Sequence, residues 1–218
     1  MATKRKIFVV DDCPVTRAGL AHIINLQADL RICGQAGTPT EALEGIAASR
    51  PDLVVTDIAL GSCNGLELIK SIRTGFRELP ILVFSTLEET VYAQRALLAG
   101  ANGYLMKQAL TREVVAAIRR LLRGEPYVSE AIRNHVVRRF AGSSAPLEVN
   151  HVQVLSDREL EVFRLLGQGV GTRQIARRLH VSVSTVETHR AHIKEKLELR
   201  TAMELVRRAV EWVQRHSQ

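Results

Sequence analysis

Two adjacent carboxylates, Asp11 and Asp12, close the apolar run KIFVV, and Asp57 closes a second run, DLVVTD. Neighbouring anions repel each other and lose solvation at the edge of a core, so the pair is costly unless a cation compensates it. Three carboxylates gathered at one edge suit a hard divalent ion, and Mg²⁺, which keeps several of its waters, is the physiological choice. Ser85 closes the run ILVFS and can donate a hydrogen bond to a bound anion, while Lys107 follows GYLM and brings an ammonium. A carboxylate flanked by Mg²⁺, a hydroxyl and an ammonium is equipped to accept a phosphoryl group, because all three stabilise charge on the transferring oxygens. Asp57, alone at the end of its run, is the candidate nucleophile. Asp12 is the direct metal ligand in this reading, and Asp11 binds partly through water.

These residues can meet only if the ends of their runs converge. KIFVV, LRICGQA, DLVVTD, PILVFS and GYLM read as β-strands, and between them lie stretches with apolar residues at helical spacing, such as Val15 to Leu26 and Val91 to Leu98. Five strands alternating with five helices imply right-handed crossovers and a flavodoxin-like, doubly wound parallel sheet covered on both faces. In such a sheet the carboxyl ends of the strands form one edge, where the site should be.

The chain has 218 residues, more than one compact domain usually holds, and its 46% hydrophobic and 24% charged residues are ordinary for a soluble protein. The start, MATKRKIFVV, is basic and then apolar, but the apolar part runs only four residues before Asp11, so a strand is expected rather than a signal peptide, and no membrane segment is expected. Cys13, Cys33 and Cys63 show no CxxC spacing, and the seven histidines form no metal-ligand cluster, which points to a reducing cytoplasm without a disulfide framework or zinc site. Charge separates the halves. Residues 1–118 are net 0, residues 119–150 are +3 and residues 151–218 are +4, so all of the +7 lies where a polyanion would be met.

Three segments follow: a first domain over 1–124, a linker over 125–154 with a short amphipathic helix from Ser129 to Phe140, and an all-helical domain over 155–218. GEPYV should break the fifth helix, and AGSSAPLEVN has linker composition. In the helical domain Ser156 with Glu159 is a capping box, Thr172 with Gln174 opens a second helix, and Ser182 caps a third that ends near Leu197. Ile175, Ala176 and Leu179 form one apolar stripe; His180 to Ser182 form a tight turn; Val183, Val186, Ile193 and Leu197 form the inner face of the next helix. Two short helices joined this way have helix-turn-helix geometry, whose second helix enters the major groove. Its outward positions, Ser184, Thr185, Glu187, Thr188, Arg190, Ala191 and Lys194, mix hydrogen-bonding and cationic groups, as a DNA-reading face requires.

VVDDCPVTRAGL, DLVVTDIALGSCNGLEL, PILVFST and AGANGYLMK resemble the receiver domain of bacterial two-component response regulators, of the NarL/FixJ type. The resemblance implies Asp11 and Asp12 as metal ligands, with the backbone carbonyl of Ala59 beside Asp57, phosphorylation of Asp57 by a sensor histidine kinase, and Ser85 and Lys107 on the phosphoryl oxygens. It also implies Tyr104 as the aromatic that changes rotamer on activation. Departures are Cys13 where the subfamily commonly has His, Gly61 where many members have Pro, and Ala59 and Leu87 at positions that tune dephosphorylation. Leu155 to Arg200 is similar to the LuxR-type helix-turn-helix, through Arg158-Glu159, Gln174-Ile175-Ala176, Thr185-Val186, His189 and Lys196-Leu197. This implies DNA contacts through Glu187, Thr188, Arg190, Ala191, His192 and Lys194, joined by Ser184, Thr185 and Thr172. Glu187 departs from the Lys often found there and could accept from a cytosine amino group, whereas Glu159 is expected in a buried structural pair.

The implied protein is a phosphorylation-controlled transcription factor that is not an enzyme. It acts as a homodimer on DNA with contacts between last helices through Val206, Val210 and Val213, and RNA polymerase is a compatible further partner. Two other readings stay in view. A Mg²⁺-dependent phosphohydrolase of the haloacid-dehalogenase type would need a carboxylate two residues after its nucleophile, where Ala59 stands. A receiver acting only through protein partners would use the helical domain as a docking module.

Overall fold

Apolar runs separated by amphipathic stretches build a five-stranded sheet in the first part of the chain. The computed structural model describes residues 3–61, 63–130, 132–134 and 151–216, and the chain divides into two units, Met1–Ser144 and Ala145–Gln218. In the first unit the strands are β1 (Arg5–Val10), β2 (Leu30–Ala36), β3 (Leu53–Thr56), β4 (Ile81–Ser85) and β5 (Gly103–Met106). Their order is β2-β1-β3-β4-β5 and every pairing is parallel, the doubly wound order that leaves a crevice where the strand order reverses, between β1 and β3. The helices are α1 (Pro14–Asn25), α2 (Pro39–Ser49), α3 (Gly65–Gly75), α4 (Glu89–Ala99) and α5 (Thr111–Leu122).

Alternation along the strands decides which helices cover which face. Ile7, Val9, Val55 and Leu82 share a core with Leu20 and Ile24 of α1 and with Val114, Ile118 and Leu121 of α5, each such side chain contributing about 1.5–3 kcal/mol by burial. Phe8 points the other way, its ring lying against the backbone of Gly45 in α2. A small antiparallel hairpin, Ala59–Leu60 with Cys63–Asn64, follows β3, and Asn64 caps α3 by accepting from the Leu66 amide at 2.9 Å.

The GEPYV stretch ends α5 as expected, with Gly124 at φ +79°. The chain then returns to the sheet: Tyr127 forms a parallel bridge with Gly103, the Tyr104 amide donates to the Tyr127 carbonyl at 2.8 Å, and Ile132 is buried. This covers the outer edge of β5, a row of groups that would otherwise invite pairing with another chain. Of the helix expected over Ser129 to Phe140, and of the AGSSAPLEVN linker, residues 131 and 135–150 lie outside the described residues.

In the second unit a 3-10 turn, His151–Val154, leads into α6 (Asp157–Gly167), α7 (Thr172–Arg178), α8 (Val183–Lys196) and α9 (Ala202–His216). Leu160, Phe163, Ile175, Ala176, Leu179, Val186, Ile193, Leu205, Ala209 and Trp212 are buried, with the Phe163 and Trp212 rings 5.8 Å apart. The Ser156–Glu159 capping box forms with both bonds in place, and Ser182 accepts from the Thr185 amide at 3.0 Å. Thr172 opens α7 as its first residue, as expected, with Gly171 at the N-cap, which leaves the Thr172 hydroxyl for another partner. One local expectation needs correction. Val183 is 45% exposed rather than part of the inner face, because as the first residue of α8 it precedes the turn that meets the core.

Candidate functional site

The parallel ladders bring the chemistry-bearing residues together. Val10 pairs with Thr56 and Ser85 with Met106, so Asp11, Asp57, Ser85 and Lys107 share the carboxyl edge of the sheet. Asp11, Asp57 and Ser85 are buried; Asp12 is exposed. Ser85 Oγ donates to Asp57 Oδ1 at 2.6 Å, and the Ala59 amide donates to the same oxygen at 2.9 Å. Lys107 Nζ lies 2.8 Å from Asp57 Oδ2 and 2.6 Å from Asp11 Oδ2, so one ammonium bridges two buried carboxylates. Burial works against the charge of Lys107, but its bonds to Asp11 and Asp57 outweigh that and hold its pKa above the usual value.

Asp11, Asp12 and Asp57 offer oxygens within 4.8 Å of one another. Two oxygens on one Mg²⁺ lie at most about 4.2 Å apart, so the all-oxygen donor set fits the ion after a small side-chain adjustment that exposed Asp12 can make. Ala59 reaches the site through its backbone, as its amide bond to Asp57 shows.

Tyr104 is 1% exposed, and its hydroxyl donates to the Leu87 carbonyl at 2.6 Å. Burial, and then the charge of Asp57, push its phenol well above the usual pKa, so it stays a neutral donor. The Leu87 amide donates to Ser85 Oγ at 3.3 Å, and Tyr104, Leu87, Ser85 and Asp57 thus form one chain of hydrogen bonds. Gly61 has φ +56°, a conformation closed to proline, whose ring fixes φ near −65°; its loop is wound differently from one with Pro there. Cys13 is exposed at the start of α1.

Some residues of the pocket escaped the sequence reasoning. Arg17 donates to the Asp11 carbonyl at 2.5 Å, and Thr56 Oγ1 donates to the Asp57 carbonyl at 2.9 Å. Gly65 lets α3 start against Asp57: a Cβ there would stand 2.3 Å from Ile58 Cα and 2.8 Å from the Asp57 carbonyl oxygen. The clue for Gly65 was its place at the first helical position after Asn64; Arg17 and Thr56 act on main-chain carbonyls and leave no spacing signal.

On α8, Ser184, Glu187, Thr188, Ala191 and His192 are exposed, while Thr185, Arg190 and Lys194 are half-buried. Arg190 NH1 donates to Thr172 Oγ1 at 2.7 Å and to Glu187 Oε1 at 2.9 Å, joining three of the expected DNA-facing residues. Glu159 is 4% exposed and bonds the Ser156 amide at 2.8 Å and Lys196 Nζ at 2.7 Å, the buried structural pair expected of it. Arg173, Arg177 and Arg178 of α7 are also exposed, a cationic set that the sequence reading did not single out although three arginines in six residues announce it.

A doubly wound sheet with an acidic pocket at its carboxyl edge, followed by a helix-turn-helix unit, defines a receiver-controlled DNA-binding regulator. Residues 7–119 match the family described as response regulator receiver domain, and residues 153–209 match that of bacterial regulatory proteins, luxR family; the chain belongs to this class of response regulators and is a phospho-regulated DNA-binding regulator of transcription. It is 34% identical over 210 residues, 94% of this chain and 96% of the other, to the oxygen regulatory protein NreC of Staphylococcus epidermidis strain ATCC 12228. Among solved structures it is similar to the RcsB response regulator of Salmonella typhimurium, with TM-score 0.71 at 22% identity over 97% of this chain and 98% of that one. It also resembles RcsB bound to promoter rprA with the phosphomimetic BeF3⁻, with TM-score 0.67 at 20% identity over 94% and 98%. Among the described residues no helix is long and apolar enough to cross a membrane.

Proposed function

We propose that Asp57 accepts a phosphoryl group from a histidine of a sensor kinase and that this controls DNA binding by the second unit. The observation that carries the proposal is the environment of Asp57: a buried carboxylate with Oδ1 held by Ser85 and the Ala59 amide and Oδ2 held by Lys107. In the transfer an Asp57 oxygen forms a bond to phosphorus while the P–N bond breaks, its electron pair returning to the imidazole nitrogen. Mg²⁺, held by Asp11, Asp12, Asp57 and the Ala59 carbonyl, would supply positive charge to the equatorial oxygens. Lys107 exchanges its contact with Asp57 for a phosphoryl oxygen, and Ser85 turns its hydroxyl to another. The Ser85 move releases its bond with the Leu87 amide, so Tyr104, bonded to the Leu87 carbonyl, is the residue positioned to follow and bias a two-state receiver.

For the output, α8 lies in the major groove with Ser184, Thr185, Glu187, Thr188, Ala191, His192 and Lys194 toward the bases and phosphates, and α7 crosses the backbone with Arg173, Arg177 and Arg178. RcsB, solved bound to promoter rprA in the presence of the phosphomimetic BeF3⁻, supports DNA binding in the phosphorylated state. A homodimer through Val206, Val210 and Val213 of α9 would add the affinity of a second half-site, with Val206 exposed and the other two half-buried. The reducing cytoplasm is the compartment that suits this chemistry.

The test is phosphoryl uptake by intact-mass measurement with Mg²⁺ and a small acyl phosphate, followed by DNA titration. Wild-type protein should take up one phosphoryl group and bind DNA about tenfold more tightly, a coupling in the usual range, and Asp57→Asn should do neither. Equal uptake by Asp57→Asn would remove Asp57 from its role; uptake with unchanged DNA affinity would remove the switch.

A further inference from the structure

Glu187 is an unusual residue for a surface that meets phosphates. Its side chain is 54% exposed on α8, yet a carboxylate approaching DNA is repelled by the backbone unless its charge is neutralised. Arg190 supplies that neutralisation 2.9 Å away, and its own side chain is only 18% exposed because the same NH1 also donates to Thr172 Oγ1 at 2.7 Å. One nitrogen of the guanidinium is therefore tied both to α7 and to the carboxylate. This differs from a cation extended toward a phosphate or a guanine.

We propose that Thr172, Arg190 and Glu187 form a positioning relay that presents Glu187 as the reader of a cytosine amino group in the major groove, with Arg190 acting through Glu187 rather than on a base. The inference rests on the DNA-reading role proposed for α8. Ionised Glu only accepts hydrogen bonds. Guanine shows O6 and N7 acceptors in the major groove and repels it, adenine pairs its donor with the N7 acceptor, and thymine shows an acceptor and a methyl group. Cytosine alone offers a donor without an adjacent acceptor on the same base. The ion pair engages Oε1, so Oε2 is the acceptor left for the base. The same charge that accepts from cytosine rejects guanine, so discrimination comes from repulsion as well as attraction.

The experiment is selection of duplexes from a random pool with the full chain, treated with Mg²⁺ and acyl phosphate. Affinity is then measured for the selected duplex and its three variants at each position. Wild-type protein should prefer cytosine about tenfold at one position per half-site. Glu187→Gln should move that preference to adenine, whose N6 and N7 an amide can bond. Thr172→Val should reduce it to about twofold, and Thr172→Ser should restore it. Unchanged base preference in Glu187→Gln would overturn the proposal, as would an Arg190→Gln variant whose salt slope falls by about 0.9, the signature of a lost phosphate contact. Failure to enrich any duplex would sink the DNA-reading role itself, a different outcome from enrichment without a position that depends on Glu187.

Discussion

Three carboxylates and one lysine set the energetics of the acidic pocket. Lys107 bridges Asp11 and Asp57, which leaves the exposed Asp12 adding negative charge to a cluster whose oxygens lie within 4.8 Å. A site arranged this way is held at a cost to stability that a divalent cation offsets, a common compromise where function needs converging like charges. Asp12→Asn should therefore raise the unfolding temperature of the receiver unit in EDTA by about 2–5 °C. Excess Mg²⁺ should stabilise the wild-type receiver by about 2.7 kcal/mol at one hundred times its dissociation constant, and the variant much less. Calorimetry with and without Mg²⁺ reads both, and an equal Mg²⁺ response in the two proteins would show that Asp12 does not help to hold the ion.

At the scale of elements, strand ends were legible because apolar runs end abruptly in Asp57, Ser85 and Lys107, and a parallel sheet collects such ends at one edge. Contacts made through backbone atoms were not legible: the Ala59 amide on Asp57, Arg17 on the Asp11 carbonyl, and the return of Tyr127 to β5 depend on register and turn geometry. Helical periodicity also misplaced Val183, since spacing does not tell where the first turn of a helix leaves the core. Nor does it pair Thr172 with Arg190, eighteen residues apart on different helices. The link between α6 and α8 is different, since Glu159 fills the capping box of one helix and holds Lys196 of the other. Burial favours the neutral acid, but the bonds from Lys196 and Ser156 prevail and keep its pKa below the ordinary carboxylate value. A depressed folded-state pKa gives stability that is present above the unfolded value and lost as pH falls through the folded one. The second unit should accordingly weaken on acidification below pH about 4.5. Glu159→Gln should flatten that dependence and cost about 1 kcal/mol at neutral pH. Trp212 is the single tryptophan of the chain and is buried in this unit, so its fluorescence follows the transition selectively; an acid dependence unchanged by the substitution would assign it to other groups.

Across the whole molecule the charge is divided as the two tasks require. The first 118 residues are net neutral, which leaves a kinase or a second copy as suitable company, and the +7 excess is confined to residues 119–218. Affinity for DNA then depends on how many phosphates the cationic side chains neutralise, since each contact releases counterions and contributes about 0.9 to the slope of log K against log salt. Arg173, Arg177 and Arg178 are exposed on the helix that should cross the backbone, and none of them was expected among the base-reading residues. Arg177→Gln should weaken binding to selected and random duplexes by the same factor and reduce the salt slope by about 0.9, or about twice that if a dimer places the residue at two half-sites. Substitutions of Glu187 should do the reverse, changing sequence preference while leaving the slope in place. A slope unaffected by Arg177→Gln would move the phosphate contacts to another face, whereas a slope reduction twice that of a single contact would show two copies of the chain on one duplex without any measurement of mass.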